Sequence, residues 1–364
     1  MGVPAIVTAG DRGAARAVYG ESKVFLEVEG RALVSRVVAV LQAVPEVSEV
    51  WVVGNAERLE EIFGRNGLRA ELTKPLHIIE QHRNLYENCW EAFIRALPGA
   101  GPEGREPGEA DLDAQVLFLS GDLPFATPQE ISAFIRDGQA LDCDYALGLV
   151  AEPALEPFTT GKPGQPVLDV AYFNLREARL RQNNLHIAKP LRMGHRHYIE
   201  EMYEHRHMRK FGNMFAIALR LVFQKGGFVV ALFYFLMHLG GLADRKGYRG
   251  LADWMRRAVT LAHTERVLSR ILDTRFRFLV TEVGGCAIDV DTEADYDAVR
   301  ARFEEWSQQQ DRRAAELVGP LPLPAEAART PEQGSVAGGE SAAATKKKEA
   351  ASQQGAPASR EKEA

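Results

Sequence analysis

The sequence predicts an α/β fold: a mostly parallel central sheet flanked by helices. Three observations carry that prediction. Short apolar, β-branched runs alternate with segments whose apolar residues recur at helical spacing, the pattern of βαβ units. The run at 115–120 is almost wholly apolar, as a strand buried on both faces must be. Several runs deliver glycine, asparagine or aspartate at their carboxyl ends, where open α/β sheets bind ligands.

The chain opens with an apolar strand that passes into a loop, Ala9-Gly10-Asp11-Arg12-Gly13, followed by Arg16 and then Lys23. Strand, glycine-bearing turn and lysine together read as a device for wrapping phosphates and neutralising them. Residues 31–41 carry a helical apolar face, and 47–53 form a second strand closed by Gly54-Asn55. A helix over 57–66 and a strand over 72–79 follow. The polar group from Glu80 to Asn88, including Asn84, then enters a helix with a buried face over 89–97. That group stands where a strand meets a helix, so it either contacts a base or ribose or serves as a plain helix cap.

Residues 98–113 are rich in glycine, proline and acids and read as a surface loop. The strand after it ends at Ser120-Gly121-Asp122, before Thr127 or Pro128 starts the next helix. Asp122 is placed as a metal-binding carboxylate, with a turn or cap role as the alternative. A strand is expected at 144–150, irregular chain at 153–166 and a strand at 167–173. Residues 176–197 crowd cations and amides, including Arg181, Asn184 and Lys189. They read as a solvated helix and loop or as a basic pocket for a phosphorylated acceptor.

Residues 214–223 and 228–239 are strongly apolar, yet each run is shorter than the ~20 residues a bilayer span needs. The alternatives are a helical hairpin packed on the sheet and docking at a membrane surface, with nearby cations meeting anionic lipid. A helix over 251–272 and a strand over 276–281 lead to Asp289-Val290-Asp291. Residues two apart on an extended chain point the same way. Both carboxylates therefore face one metal, or one binds it while the other caps the helix over 294–306. Domain 1–316 carries the apolar helical insert at about 209–272, and 317–364, poor in large apolar residues, is expected to be disordered.

Charge and composition narrow the class. Formal net charge is -6, which gives no global reason to expect a nucleic-acid partner, so an anionic ligand must be held by local cations. Cys89, Cys143 and Cys286 lie far apart without metal or disulfide spacing and read as free thiols of a cytoplasmic protein.

The loop around Gly10 with Lys23 and Glu27-Val28-Glu29-Gly30, then Ser120-Gly121-Asp122-Leu123-Pro124, then Ile288 to Tyr296, together resemble the signatures of the MobA-like NTP transferases. The resemblance spans about residues 4–306 and implies a Rossmann-like, nucleotide-diphospho-sugar transferase type of sheet. It implies an NTP held by Ala9, Gly10, Asp11, Arg12, Gly13 and Lys23, with Asn84 and Asn88 beside it. Arg16, Lys23 and Asp122 would be catalytic, Asp122 and Asp291 would hold Mg²⁺, and Arg181, Asn184 and Lys189 would face a polar, phosphorylated acceptor. The implied reaction transfers a nucleoside monophosphate to that acceptor's phosphate or hydroxyl and releases pyrophosphate. A nucleotide-sugar-dependent glycosyltransferase, or an inactive membrane-associated binding protein of the same fold, are the other readings. Asp11 stands where such loops usually have a second glycine, and its carboxylate would repel a bound triphosphate unless it turns outward or helps hold metal.

Overall fold

The computed structural model describes residues 2–11, 17–196, 250 and 260–321. The apolar runs at 214–223 and 228–239 and the sequence beyond 321 lie outside the described residues. Among those described, no helix is long and apolar enough to cross a membrane.

The main sheet is built from β1 (Val3–Ala9), β6 (Val47–Gly54), β7 (Leu76–Glu80), β8 (Val116–Ser120), β9 (Tyr145–Ala151), β11 (Arg179–Ala188) and β12 (Phe276–Thr281). Short β2 (Ala17–Val18) and β3 (Glu21–Ser22) pair with each other, as do β4 (Glu27–Val28) and β5 (Arg31–Ala32); β10 (Phe173–Asn174) joins the rim of β11. The order across the main sheet is β12-β9-β11-β8-β1-β6-β7. Every strand of this path runs the same way except β11, which is antiparallel to both β8 and β9. The expected mostly parallel α/β sheet is thus present.

Alternation along β1 assigns the faces. Ala5, Val7 and Ala9 enter the core beneath α1 (Leu33–Gln42), α2 (Ala56–Arg65) and α4 (Pro128–Ala140), whereas Ile6 faces α3 (Leu85–Arg95) with Val53 and Phe93. α5 (Glu152–Thr159) and α7 (Glu293–Leu317) build a separate cluster around Phe125, Phe158 and Trp306. α6 (Leu261–Leu272) places Leu261 against Leu149, Leu180 and Phe278.

Three local expectations change. Residues 153–166 are not wholly irregular: α5 begins with Pro153 in its first turn, where the missing N–H costs nothing. The strand expected at 167–173 shrinks to the two residues of β10. The polar segment at 176–197 contains β11, an inner strand, because Leu180, Leu185, Ile187 and Ala188 bury themselves between its charged neighbours.

β11 is broken by an irregularity between Gln182 and His186, where Asn184 takes a left-handed φ of 56°. Asn183 turns inward there, fully buried, and donates from Nδ2 to Thr281 Oγ1 at 3.1 Å while its Oδ1 accepts from the Leu185 N–H at 3.2 Å. Its side chain fills the space above Gly148, where a Cβ would lie 1.9 Å from Asn183 Oδ1. Gly148→Ala is therefore expected to destabilise the protein by about 1–3 kcal/mol through overpacking, read as a lower urea midpoint with an unchanged m-value.

Candidate active site

Because the six parallel strands end on one edge, that edge gathers the residues that follow them. Gly10 and Asp11 leave β1, Asn55 leaves β6, Gln81 leaves β7 and Asp122 leaves β8. The reversed β11 contributes its beginning, with Arg181 and Asn184, to the same edge. Lys189, just past the end of β11, lies at the opposite edge, where it pairs with Asp113 at 3.1 Å. It is not brought to the cluster.

Lys23 sits at the centre. It opens a 3₁₀ turn over Lys23–Phe25 whose Val24 and Phe25 are buried, with the Arg58 guanidinium 4.3 Å from the Phe25 ring centre. The anchored turn sends the ammonium inward, 2.8 Å from Asp122 Oδ2 and 2.7 Å from Asp291 Oδ1. Burial works against the charge on Lys23, but the attraction of Asp122 and Asp291 outweighs it and holds the ammonium above the ordinary lysine range.

Asp122 is 1% exposed and accepts a hydrogen bond from the Ser120 hydroxyl, while the Gly121 N–H ties its loop to Thr8 O at 3.0 Å. Asp291 is more open, at 52% exposure, and is carried in by the buried Ile288 and Val290 on the approach to α7. Thr292 is the N-cap of α7, and Asp295 completes its capping box. Neither Asp289 nor Asp291 is thus needed as the cap. Asp289 instead meets Arg181, whose Nη2 donates to its Oδ1 at 2.6 Å and whose Nε donates to Ala287 O at 2.8 Å. Burial, then the nearby charge of Asp122, pushes the Asp289 carboxyl up to about 6, with Arg181 opposing the shift.

At the β1 end, Asp11 is drawn toward β6 and β7. Its N–H donates to Gln81 Oε1 at 2.9 Å, and its carboxylate accepts from Gln81 Nε2 and, at 3.4 Å, from Asn55 Nδ2. Gln81 thereby ties down the acidic residue by both its backbone and its side chain. Asn88, buried beside Gly10, accepts from the His82 N–H at 2.6 Å. Asn84 is the N-cap of α3 and accepts from the Glu87 N–H at 2.8 Å, so the capping role is satisfied. Arg12, Gly13 and Arg16 lie outside the described residues. Ser120, Gln81 and Glu130 were not singled out from sequence; the Ser-x-Asp spacing of Ser120 and Asp122 was the available signal for the first.

The described residues suit a hard cation. Two carboxylate oxygens converge on one positive charge, every candidate donor is oxygen, and three carboxylates face two cations. Among the described residues, no group of three acidic, histidine or cysteine side chains is arranged to enclose a metal. Asp122 and Asp291 offer the one or two carboxylates by which a hard divalent cation is commonly held beside phosphates.

An α/β sheet that gathers a glycine-bearing loop, a lysine and a strand-end aspartate on its carboxyl edge has the layout of a nucleotide-handling transferase domain. Residues 5–183 match the model of the MobA-like NTP transferase domain. The match ends before Asp289 and Asp291. Similar solved structures include a hypothetical transferase from Thermus thermophilus, 23% identical, covering 81% of this chain and 99% of that one with a TM-score of 0.49. A 4-diphosphocytidyl-2C-methyl-D-erythritol synthase from Anaerococcus prevotii is 13% identical, covering 83% and 96% with a TM-score of 0.40. A CMP:2-keto-3-deoxy-manno-octonic acid synthetase complexed with CTP is 14% identical, covering 84% and 98% with a TM-score of 0.42. No curated protein matches the chain in sequence.

Proposed function

We propose that the protein is a Mg²⁺-dependent nucleotidyltransferase that moves a nucleoside monophosphate from an NTP to a phosphate or hydroxyl acceptor. The observation that carries this reading is the Lys23 ammonium held between Asp122, just past the end of β8, and Asp291, just before α7. The acceptor oxygen attacks the α-phosphorus, the bond to the oxygen bridging to the β-phosphorus breaks, and pyrophosphate leaves.

Little covalent help is needed for such a transfer, so alignment and charge stabilisation are the protein's work. The backbone of Ala9, Gly10 and Asp11, with Arg12, Gly13 and Arg16 beyond it, would hold the triphosphate. Lys23 would neutralise charge that builds on its oxygens. Asp122 and Asp291 would hold Mg²⁺, which when bound supplies a Lewis acid for the phosphoryl oxygens. Asn84 and Asn88 would face the nucleoside. Arg181, which pairs with Asp289, and Asn184 would face a polar acceptor.

Thermal-shift measurements against the four NTPs, with and without Mg²⁺, test the donor. Saturation at about 100 times Kd stabilises a folded protein by about 2.7 kcal/mol, which for a domain of this size is a rise of roughly 4–5 °C. One NTP with Mg²⁺ is expected to produce that rise and then to release pyrophosphate when acceptor is added. No shift with any NTP, or turnover of a nucleotide sugar without pyrophosphate, would overturn the reading.

A further inference from the structure

Asp122 and Asp291 come from segments far apart in sequence, and something must hold the second against the first. The turn Gly285–Ala287, just before Asp289 and Asp291, is pressed onto the loop that runs from Asp122 into α4. Glu130, in the first turn of α4 and 1% exposed, makes that contact. Its Oε2 accepts the Cys286 N–H at 3.0 Å.

The position of Glu130 three residues after the N-cap Thr127 is the one from which a glutamate ordinarily reaches back to its own cap. Thr127 Oγ1 accepts from the Glu130 N–H at 3.3 Å, but the Glu130 carboxyl crosses to the other segment instead. Gly285 permits the approach, since a Cβ there would lie 1.9 Å from Phe125 O and 3.1 Å from Glu130 Oε2. On its far side the same turn is held by Arg181 and Asn184, which donate to Ala287 O and Cys286 O at 2.8 and 3.3 Å. Burying a carboxyl is costly unless its oxygens are used; burial pushes this one up to about 8 against the hydrogen bonds from Cys286 and Gly285.

We propose that Glu130 is a positioning residue that clamps the Gly285–Cys286 turn to α4 and thereby sets Asp291 against Lys23 and Asp122. The inference rests on the reading of those three residues as the reaction centre. The clamp itself is independent of nucleotide chemistry.

The test measures acetylation of each lysine in the intact protein by mass spectrometry, in wild type, Glu130→Leu, Glu130→Gln and Gly285→Ala. Without the clamp, Asp291 withdraws from Lys23. Loss of one carboxylate partner that lowers an amine's pKa by about one unit raises its neutral fraction roughly tenfold. Glu130→Leu and Gly285→Ala are expected to speed acetylation of Lys23 roughly three- to tenfold relative to the other lysines. Glu130→Gln, whose amide oxygen still accepts the Cys286 N–H, is expected to stay near wild type.

An unchanged relative rate at Lys23 in folded Glu130→Leu would overturn the proposal, as would an equal rise in Glu130→Gln. If Glu130→Leu does not fold, Gly285→Ala and Glu130→Gln decide in the same way. In nucleotidyl transfer, Glu130→Leu should lower kcat while leaving KM for the NTP near wild type, and Glu130→Gln should restore kcat. A wild type without transferase activity would defeat the functional reading alone, because the Lys23 rates would still report on the clamp.

Discussion

Asp122→Asn is expected to cut pyrophosphate release by at least about a hundredfold, the scale on which removal of one well-placed electrostatic group slows an enzyme. The substitution keeps the shape of the side chain and an oxygen for Ser120 and Lys23 but removes its charge. Asp122 is the least exposed of the three carboxylates at the site, so water cannot stand in for that charge. Steady-state release assays, with circular dichroism confirming the fold, check it. Full activity in Asp122→Asn would exclude Asp122 as a metal ligand. If the carboxylate acts on phosphates through a cation, the loss should appear in kcat more than in KM, since the interaction is strongest where charge builds in the transition state.

The largest effect on stability is expected at Trp306. Its side chain is fully buried, meets Phe125 and Phe158 edge-on at 5.7 and 5.3 Å between ring centres, and donates from Nε1 to Pro157 O at 2.9 Å. The Arg302 guanidinium lies 4.6 Å from its ring centre. Trp306→Ala removes the ring contacts, opens a cavity and strips the Pro157 carbonyl of its donor, for an expected loss of about 3–5 kcal/mol. Trp306→Phe keeps most of the volume and should cost about 1–3 kcal/mol, chiefly for the unsatisfied carbonyl. Urea unfolding of both variants tests the order. Phe125 lies on the loop between Asp122 and α4, so Trp306→Ala should also loosen the site, seen as faster hydrogen exchange across 121–127.

Much of this was legible in the sequence because it depends on local patterns. The run at 115–120 reads as a buried strand because apolar residues leave no solvated face, and β8 is that strand. Asp122 reads as a strand-end residue because Gly121 and Pro124 stop the ladder. Residues 176–197 misled because counting cations hides the four apolar residues that bury β11, and an inner strand can carry arginines when they project past the sheet edge. Lys189 shows the same difficulty: eight residues from Arg181, it lies at the other end of an antiparallel strand.

By itself the sequence determined the α/β class, the strand ends that carry Gly10 and Asp122, and the helix starts near Thr127 and Thr292; Asp291, expected at a strand end, instead follows a 3₁₀ turn ten residues beyond β12. Periodicity, capping and turn chemistry act within a few residues, so they can be read along the chain. Only the tertiary structure decided which charges meet. Lys23 with Asp122 and Asp291, Arg181 with Asp289, and Asp11 with Gln81 are pairs separated by tens to hundreds of residues, made by the order of strands and the reversal of β11. Coulombic and hydrogen-bond energies depend on distance in space, and no local pattern encodes that distance.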